Sequence, residues 1–176
     1  LEQFRLNYFD SLQLYQEPIK ADNIVIVDID VKALDTYGQF PFSRDIYADW
    51  LNSSPENNAY VFNMGFTEKD RFGKDSDLAE AMGTRDVILS SFVSNKSQGD
   101  KPPRGFGKLG KGDPSDWLYS YKGMRTSVVA QYAEGVGAVT VAPSVDGIVR
   151  ESPLAILANQ HLWPSIALEI LRVWEF

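Results

Sequence analysis

The run Ile24-Val-Ile-Val-Asp-Ile-Asp30 limits the folds open to this chain more than any other segment. Four consecutive β-branched residues pack well on a pleated surface. An apolar run this unbroken suits a strand covered on both faces of a largely parallel sheet. It predicts a first core strand. Ala59-Tyr-Val-Phe-Asn-Met64 and Asp86-Val-Ile-Leu-Ser-Ser-Phe92 predict a second and a third. Helical patterns lie between them. A short helix is expected over residues 32–37 with Gly38 as its stop, and another from a Ser43 cap through residue 51, with Ile46, Trp50 and Leu51 toward the core. A third is capped by Asp75 or Ser76 and runs through Met82. Strand and helix alternate, so the fold class is α/β with a mixed, mainly parallel sheet flanked by helices.

The ends of the chain add to this frame. Leu1, Phe4, Tyr8, Leu12 and Tyr15 share one helical face before Pro18 stops the helix. Residues 128–133 predict a further helix. Residues 137–142 and 148–157 flank Pro143-Ser-Val-Asp-Gly147, and Asp-Gly between two β-rich runs predicts a C-terminal antiparallel hairpin. Pro164 then opens a last helix carrying Ile166, Ile170 and Val173. Residues 94–116 are Gly, Pro, Lys, Ser and Asp with few apolar anchors, which predicts a long mobile loop. With 176 residues and no repeat, one domain is expected.

Charge and composition exclude several functions. A net charge of −7 argues against a nucleic-acid partner, whose affinity comes from Lys and Arg neutralising phosphates. The chain has no cysteine, hence no disulfide, thiolate metal site or cysteine nucleophile. Its one histidine, His161, has no evident triad or metal partner in the sequence. No apolar run approaches the roughly 18 residues needed to span a bilayer. The chain opens at Leu1 and closes on Val173-Trp-Glu-Phe176, as expected of a segment cut from a longer protein.

Three motifs invite an enzymatic or metal-binding reading. An apolar strand ending Asp28-Ile-Asp30 is similar to the first motif of haloacid-dehalogenase-type phosphatases, in which Asp28 would be the nucleophile and Asp30 the acid/base beside Mg²⁺. That chemistry also needs a later strand ending in paired acids, and the strong later strand ends Val141-Ala-Pro143. Gly105-Phe-Gly-Lys-Leu-Gly110 has the spacing of a phosphate-binding loop but lacks the preceding strand and following helix that would aim N–H groups at a phosphate. Glu68, Asp70, Asp75 and Asp77 crowd one segment, but Lys69, Arg71 and Lys74 among them oppose a cation, so a solvated helix-capping face is expected. No catalytic residue, metal or cofactor is assigned.

The order of elements resembles the type-two CHASE domain, a sensory extracellular family associated with cyclases and histidine kinases. The pieces that carry the resemblance are Ile24–Asp30 as quoted, Tyr37-Gly-Gln-Phe-Pro-Phe-Ser-Arg44, Val61-Phe-Asn-Met-Gly-Phe66 with Asp70, Asp77-Leu-Ala-Glu-Ala81, Val87-Ile-Leu89, Asp146-Gly-Ile-Val-Arg150 and Pro164-Ser-Ile-Ala-Leu168. The family usually has Trp-Pro-Trp-Pro-Arg where this chain has Phe40-Pro-Phe-Ser-Arg44, and an Asp where Asn63 stands. The resemblance implies an extracytoplasmic input domain of an integral membrane receptor of the sensor kinase, adenylate cyclase or diguanylate cyclase type. It also implies terminal helices leading to the membrane, a small-molecule or protein signal, and a homodimer in the full receptor. A non-sensing dimerisation module is a rival reading. The expected polar site, ligand-binding or structural, comprises Asp28, Asp30, Arg44, Asn63, Asp146 and Arg150, with Arg44 held by Asp28 or Asp30 and the other acid capping the helix near Lys32. Self-association through the first and last helices is also expected.

Overall fold

A computed structural model describes residues 1–96, 118–141 and 143–175. The chain divides into two compact units, Leu1–Phe40 with Ala142–Arg150, and Pro41–Val141 with Glu151–Phe176.

The first unit contains α1 (Glu2–Gln13) and α2 (Val31–Tyr37). In α1 the stripe formed by Leu1, Phe4, Tyr8 and Leu12 is exposed, as is Tyr15 beyond it, and Leu6 is the helix's buried residue. Asp30 caps α2 as expected, its Oδ1 accepting the Ala33 N–H at 3.0 Å. Gly38 ends the helix at φ 86°, a conformation that suits a residue without a Cβ. Residues 24–30 do not form the predicted first core strand. They have no ladder partner, and Ile24 to Val27 are 65–89% exposed. Strand propensity is a preference for a pleated, half-buried surface, and without a neighbouring strand the residues that confer it stay in solvent. In residues 143–150 the Asp-Gly signal produces a turn, with the Gly147 N–H donating to the Ser144 carbonyl at 2.9 Å and the Ser144 N–H to the Ile148 carbonyl at 2.9 Å. Among the described residues no strand pairs with another across this turn.

The second unit runs α3 (Arg44–Ser53), β1 (Ala59–Phe62), α4 (Asp75–Met82), β2 (Asp86–Ser94), β3 (Ser120–Tyr121), β4 (Gly123–Arg125), a 3₁₀ turn at Ala130–Tyr132, β5 (Gly135–Ala138), β6 (Ala155–Ala158), β7 (His161–Pro164) and α5 (Ile166–Glu175). The predicted helix over 128–133 is thus reduced to the 3₁₀ turn. β2 is the hub, parallel to β1 from Ala59↔Asp86 to Phe62↔Leu89 and parallel to β5 from Ile88↔Gly135 to Ser91↔Ala138. β4 joins the far end of β2 in the antiparallel sense, at Phe92↔Arg125. The sheet is mixed and mainly parallel, as expected. A second sheet has β3 parallel to β6 and β6 antiparallel to β7. The C-terminal antiparallel hairpin therefore lies at 155–164, not around Asp146-Gly147. Its two-residue loop, Asn159-Gln160, takes φ of 49° and 62°, the left-handed pair whose twist matches that of the flanking strands.

Register assigns the faces, because partners in a ladder point the same way. Tyr60 and Phe62 turn to α3, where Trp50 meets Tyr60 edge-on at 5.4 Å and Phe62 at 5.7 Å, and Tyr47 reaches Phe62 at 6.0 Å and Phe66 at 5.3 Å. Tyr47, Ala48 and Leu51 are the buried residues on this side of α3, and Ile46 and Trp50 are half-buried. Ile88 and Ser90 turn with Gly135 and Gly137 to the other face, which α5 covers. Among the described residues no helix is long and apolar enough to cross a membrane. The phosphate-loop-like glycines and all but the first residues of the predicted mobile loop lie outside the described residues.

Candidate functional site: two arginine centres

Arg150 is the most completely bound cation in the first unit. Its Nε and Nη2 donate to the two carboxylate oxygens of Asp10, both at 2.7 Å, and its Nη1 and Nη2 donate to those of Asp146, both at 2.8 Å. Two bidentate contacts on one planar guanidinium fix its orientation as well as its position. Asp146 also accepts the Ile148 N–H at 3.2 Å and the Gln3 amide at 3.4 Å. The Arg150 hydrogen bonds hold the Asp146 carboxyl far below the usual carboxylate range and lower that of Asp10. The two carboxylates, Asp10 first, push the Arg150 guanidinium up in turn. The clamp joins α1 to the Asp-Gly turn within this unit.

Asp146 and Arg150, both expected in the polar site, lie four residues apart around the turn and are paired. Asp10 was not singled out, although one signal was present: Glu2 has Arg5 for a partner, whereas no cation lies within a helical turn of Asp10. Asp28 is exposed, and Asp30 is engaged as the cap of α2.

Arg44 anchors the second centre. It is 5% exposed at the first turn of α3, with its guanidinium carbon 4.3 Å from the centre of the Phe66 ring and Nη2 donating to the Glu68 carbonyl at 3.3 Å. Its carboxylate partner is Asp75 at 3.6 Å, not the expected Asp28 or Asp30. The physical reason is local: α3 packs on α4, and Asp75 opens α4, so the first turns of two helices converge on one cation. That acid also offsets the repulsion between Arg44 and the positive end of the α3 dipole. Ser43 occupies the N-cap position of α3, yet its hydroxyl makes no capping hydrogen bond. Asp75 in addition accepts the Asp70 N–H at 3.0 Å, Asp70 accepts the Lys74 N–H at 3.0 Å, and Lys74 pairs with Asp77 at 3.0 Å. The acid-rich segment is thus a set of turn contacts, and the N-cap position of α4 is Lys74, without a side-chain capping bond, not the expected Asp75 or Ser76. Burial pushes the neighbouring Tyr47 phenol up.

Asn63 follows β1, exposed, with its Oδ1 3.5 Å from the Ser90 hydroxyl, which itself donates to the Phe62 carbonyl at 2.8 Å. His161 is half-buried with Nδ1 2.7 Å from the Asn159 carbonyl. Asp146 and Arg150 are joined in one unit, and Arg44 and Asn63 have separate partners in the other.

An open recess of about 410 Å³ lies where β2 and β5 begin, lined by Glu56, Thr84, Arg85, Asp86, Tyr132 and Glu134 among others. None of the six candidates lines it, and open parallel sheets ordinarily bind ligands at the opposite, carboxyl ends of their strands. Among the described residues no group of three or more His, Asp or Glu is placed to hold a metal ion.

The family model described as the CHASE2 domain matches residues 1–175. No curated protein and no solved structure matches the chain.

Proposed function

Because the chain belongs to the CHASE2 domain family, whose members are extracellular sensory domains of signalling receptors and not catalytic domains, we propose that it is the extracytoplasmic input domain of a transmembrane receptor of the sensor kinase or cyclase type. Such a domain acts by preferring one of two conformations when its signal is bound, so it needs a bistable link to its terminal helices more than it needs a reactive side chain. The observation that carries this reading beyond the family is the Arg150 clamp. Asp146 and Arg150, which belong to a family-like motif, grip Asp10 on the chain's first helix. A small molecule or protein that altered the Asp-Gly turn would thereby alter the hold on α1. In the receptor, α1 and α5 would meet their two-fold mates, where the exposed Phe4, Tyr8 and Trp174 supply apolar surface.

Topology tests the proposal. In the full-length gene product, apolar segments of roughly 20 residues should flank this chain, and a reporter enzyme active only outside the cytoplasm should be active when fused within it. A reporter active only in the cytoplasm would overturn the reading.

A further inference from the structure

Glu169 is an anomaly on α5. A carboxylate in the first turn of a helix ordinarily faces water, yet Glu169 is 2% exposed. It lies against β5, where the strand is built from small residues. A Cβ added to Gly135 would meet Glu169 Cγ and Oε1 at 2.8 Å, and one added to Gly137 would meet Ile166 Cα at 2.3 Å. The helix backbone thus sits directly on the strand at one glycine and the carboxylate at the other. Glu169 Oε1 accepts the Val136 N–H at 3.3 Å and Arg172 Nη2 at 2.8 Å, while Oε2 accepts Arg172 Nε at 3.0 Å. Arg172 Nη2 donates as well to the Glu134 carbonyl at 2.8 Å. The ion pair therefore reaches the strand backbone on both sides of Gly135. One turn earlier Ser165 bridges Ala138 in the parallel sense, so α5 is pinned at both ends of β5.

We propose that Glu169 is a positioning residue that keys α5 to β5, so that strand and terminal helix move as one body and a displacement of β5 reaches the far end of α5 without slip. The chemistry of the contact is the reason. An apolar seam between helix and strand is non-directional and tolerates sliding, whereas a buried carboxylate bound to an arginine and to a backbone N–H fixes one register. Buried ion pairs are weak devices for stability and better attested as devices for register. Leu171 and Trp174, on the side of α5 away from the strand, remain exposed and would carry the motion outward. That a signal uses this link rests on the sensory reading; the mechanical link itself does not.

Amide hydrogen exchange of this chain tests it through two substitutions. Glu169→Gln keeps the shape and removes the charge. Glu169→Met keeps the volume and removes every directional contact. Glu169→Met is expected to cost some global stability, because the Val136 N–H loses its acceptor and Arg172 its counter-charge, and beyond that to speed exchange of residues 134–137 and 166–175 together by about tenfold or more relative to β1 and β2. Glu169→Gln should show the same paired loss in smaller degree. If Glu169→Met leaves both segments as protected as in the wild type, Glu169 is only packing and the proposal fails. It fails equally if α5 loosens while β5 does not. Should Glu169→Gln prevent folding, the Met variant decides alone. A failed exchange test would remove the link and leave the topology experiment standing.

Discussion

The two compact units treat apolar sequence in opposite ways. In the second, Tyr60 and Phe62 on β1 and Val87 to Leu89 on β2 lie in paired strands and are buried. In the first, Ile24 to Val27, at least as β-prone by composition, are exposed with no strand partner among the described residues, and Arg150 is clamped between Asp10 and Asp146. The difference teaches that an apolar run encodes a demand for burial but not its fulfilment. β2 meets that demand because β1 and β5 flank it in register, with helices α3 and α5 covering the two faces.

Truncation of a core aromatic should have the largest effect and bears on the comparison directly. Phe62→Ala removes a ring that touches Tyr47, Trp50 and Phe66, and should cost about 3–5 kcal/mol in urea unfolding. Ile26→Ala, at a residue 89% exposed, should change stability by less than about 0.5 kcal/mol. A cost for Ile26→Ala approaching that of Phe62→Ala would mean that the run is buried in solution after all, and the contrast between the units would collapse.

Arg44 comes next. Arg44→Met removes the cation over Phe66 and leaves Asp75 Oδ1, a buried oxygen, without its counter-charge, for which a loss of about 3 kcal/mol is expected. The double variant Arg44→Met with Asp75→Asn should recover part of that loss, since the stranded charge is gone. Strict additivity of the two single losses would show that the pair is not coupled, and would reopen the question of which acid serves Arg44.

The clamp of the first unit should show itself through acid. Asp10 and Asp146 have carboxyl groups lowered below the ordinary 3.8 by Arg150, so each binds its proton more readily in the unfolded chain. Their contribution is therefore complete above that value and fades as pH falls below it toward the lowered values. Amide protection of α1, relative to the exchange rate of an unfolded chain at the same pH, should hold from neutrality to about pH 4 and fall below it, and Arg150→Met should abolish this pH dependence by loosening α1 at every pH. An α1 that exchanges at the same rate in Arg150→Met and wild type would show that the clamp does not restrain the helix.

Much of the second unit was legible in the sequence because its signals are local. The runs at 59–64 and 86–92 each specify a strand and the acids Asp75 and Asp77 mark the first turn of α4, and each element forms within two residues of its expected bounds; in the first unit Gly38 stops α2 by the same kind of local signal. What was not legible depended on neighbours distant in sequence. The Asp-Gly turn was read as the hairpin, but the ladder formed around Asn159-Gln160, where Ala155 to Ala158 find Pro164 to His161. Arg44 was assigned Asp28 or Asp30 at the carboxyl end of the expected first strand, whereas helix packing delivered Asp75. Glu169 was passed over inside the stripe of Ile166, Ile170 and Val173, although Gly135-Val-Gly137 marked a strand that another backbone approaches closely.

The smallest effect separates Asp28 from Asp30, two acids that the sequence presents as one motif. Asp30 accepts the Ala33 N–H and so satisfies one of the otherwise unpaired donors at the start of α2. Removing that acceptor in Asp30→Ala should cost about 1 kcal/mol, and Asp30→Asn, which retains a side-chain carbonyl to accept the same bond, should cost only a few tenths. Asp28 is exposed, so Asp28→Asn should be neutral within about 0.5 kcal/mol. The same pair decides whether the motif does chemistry. A phosphatase would need Asp30 free as acid/base, and here its oxygen is occupied by the helix cap, while Asp28 projects from a segment with no sheet to aim it. Neither Asn variant should alter hydrolysis of a simple phosphate ester in the presence of magnesium. A magnesium-dependent activity lost in Asp28→Asn would show that the two acids work together on a formed strand, and would restore to the first unit the buried sheet that now distinguishes the second.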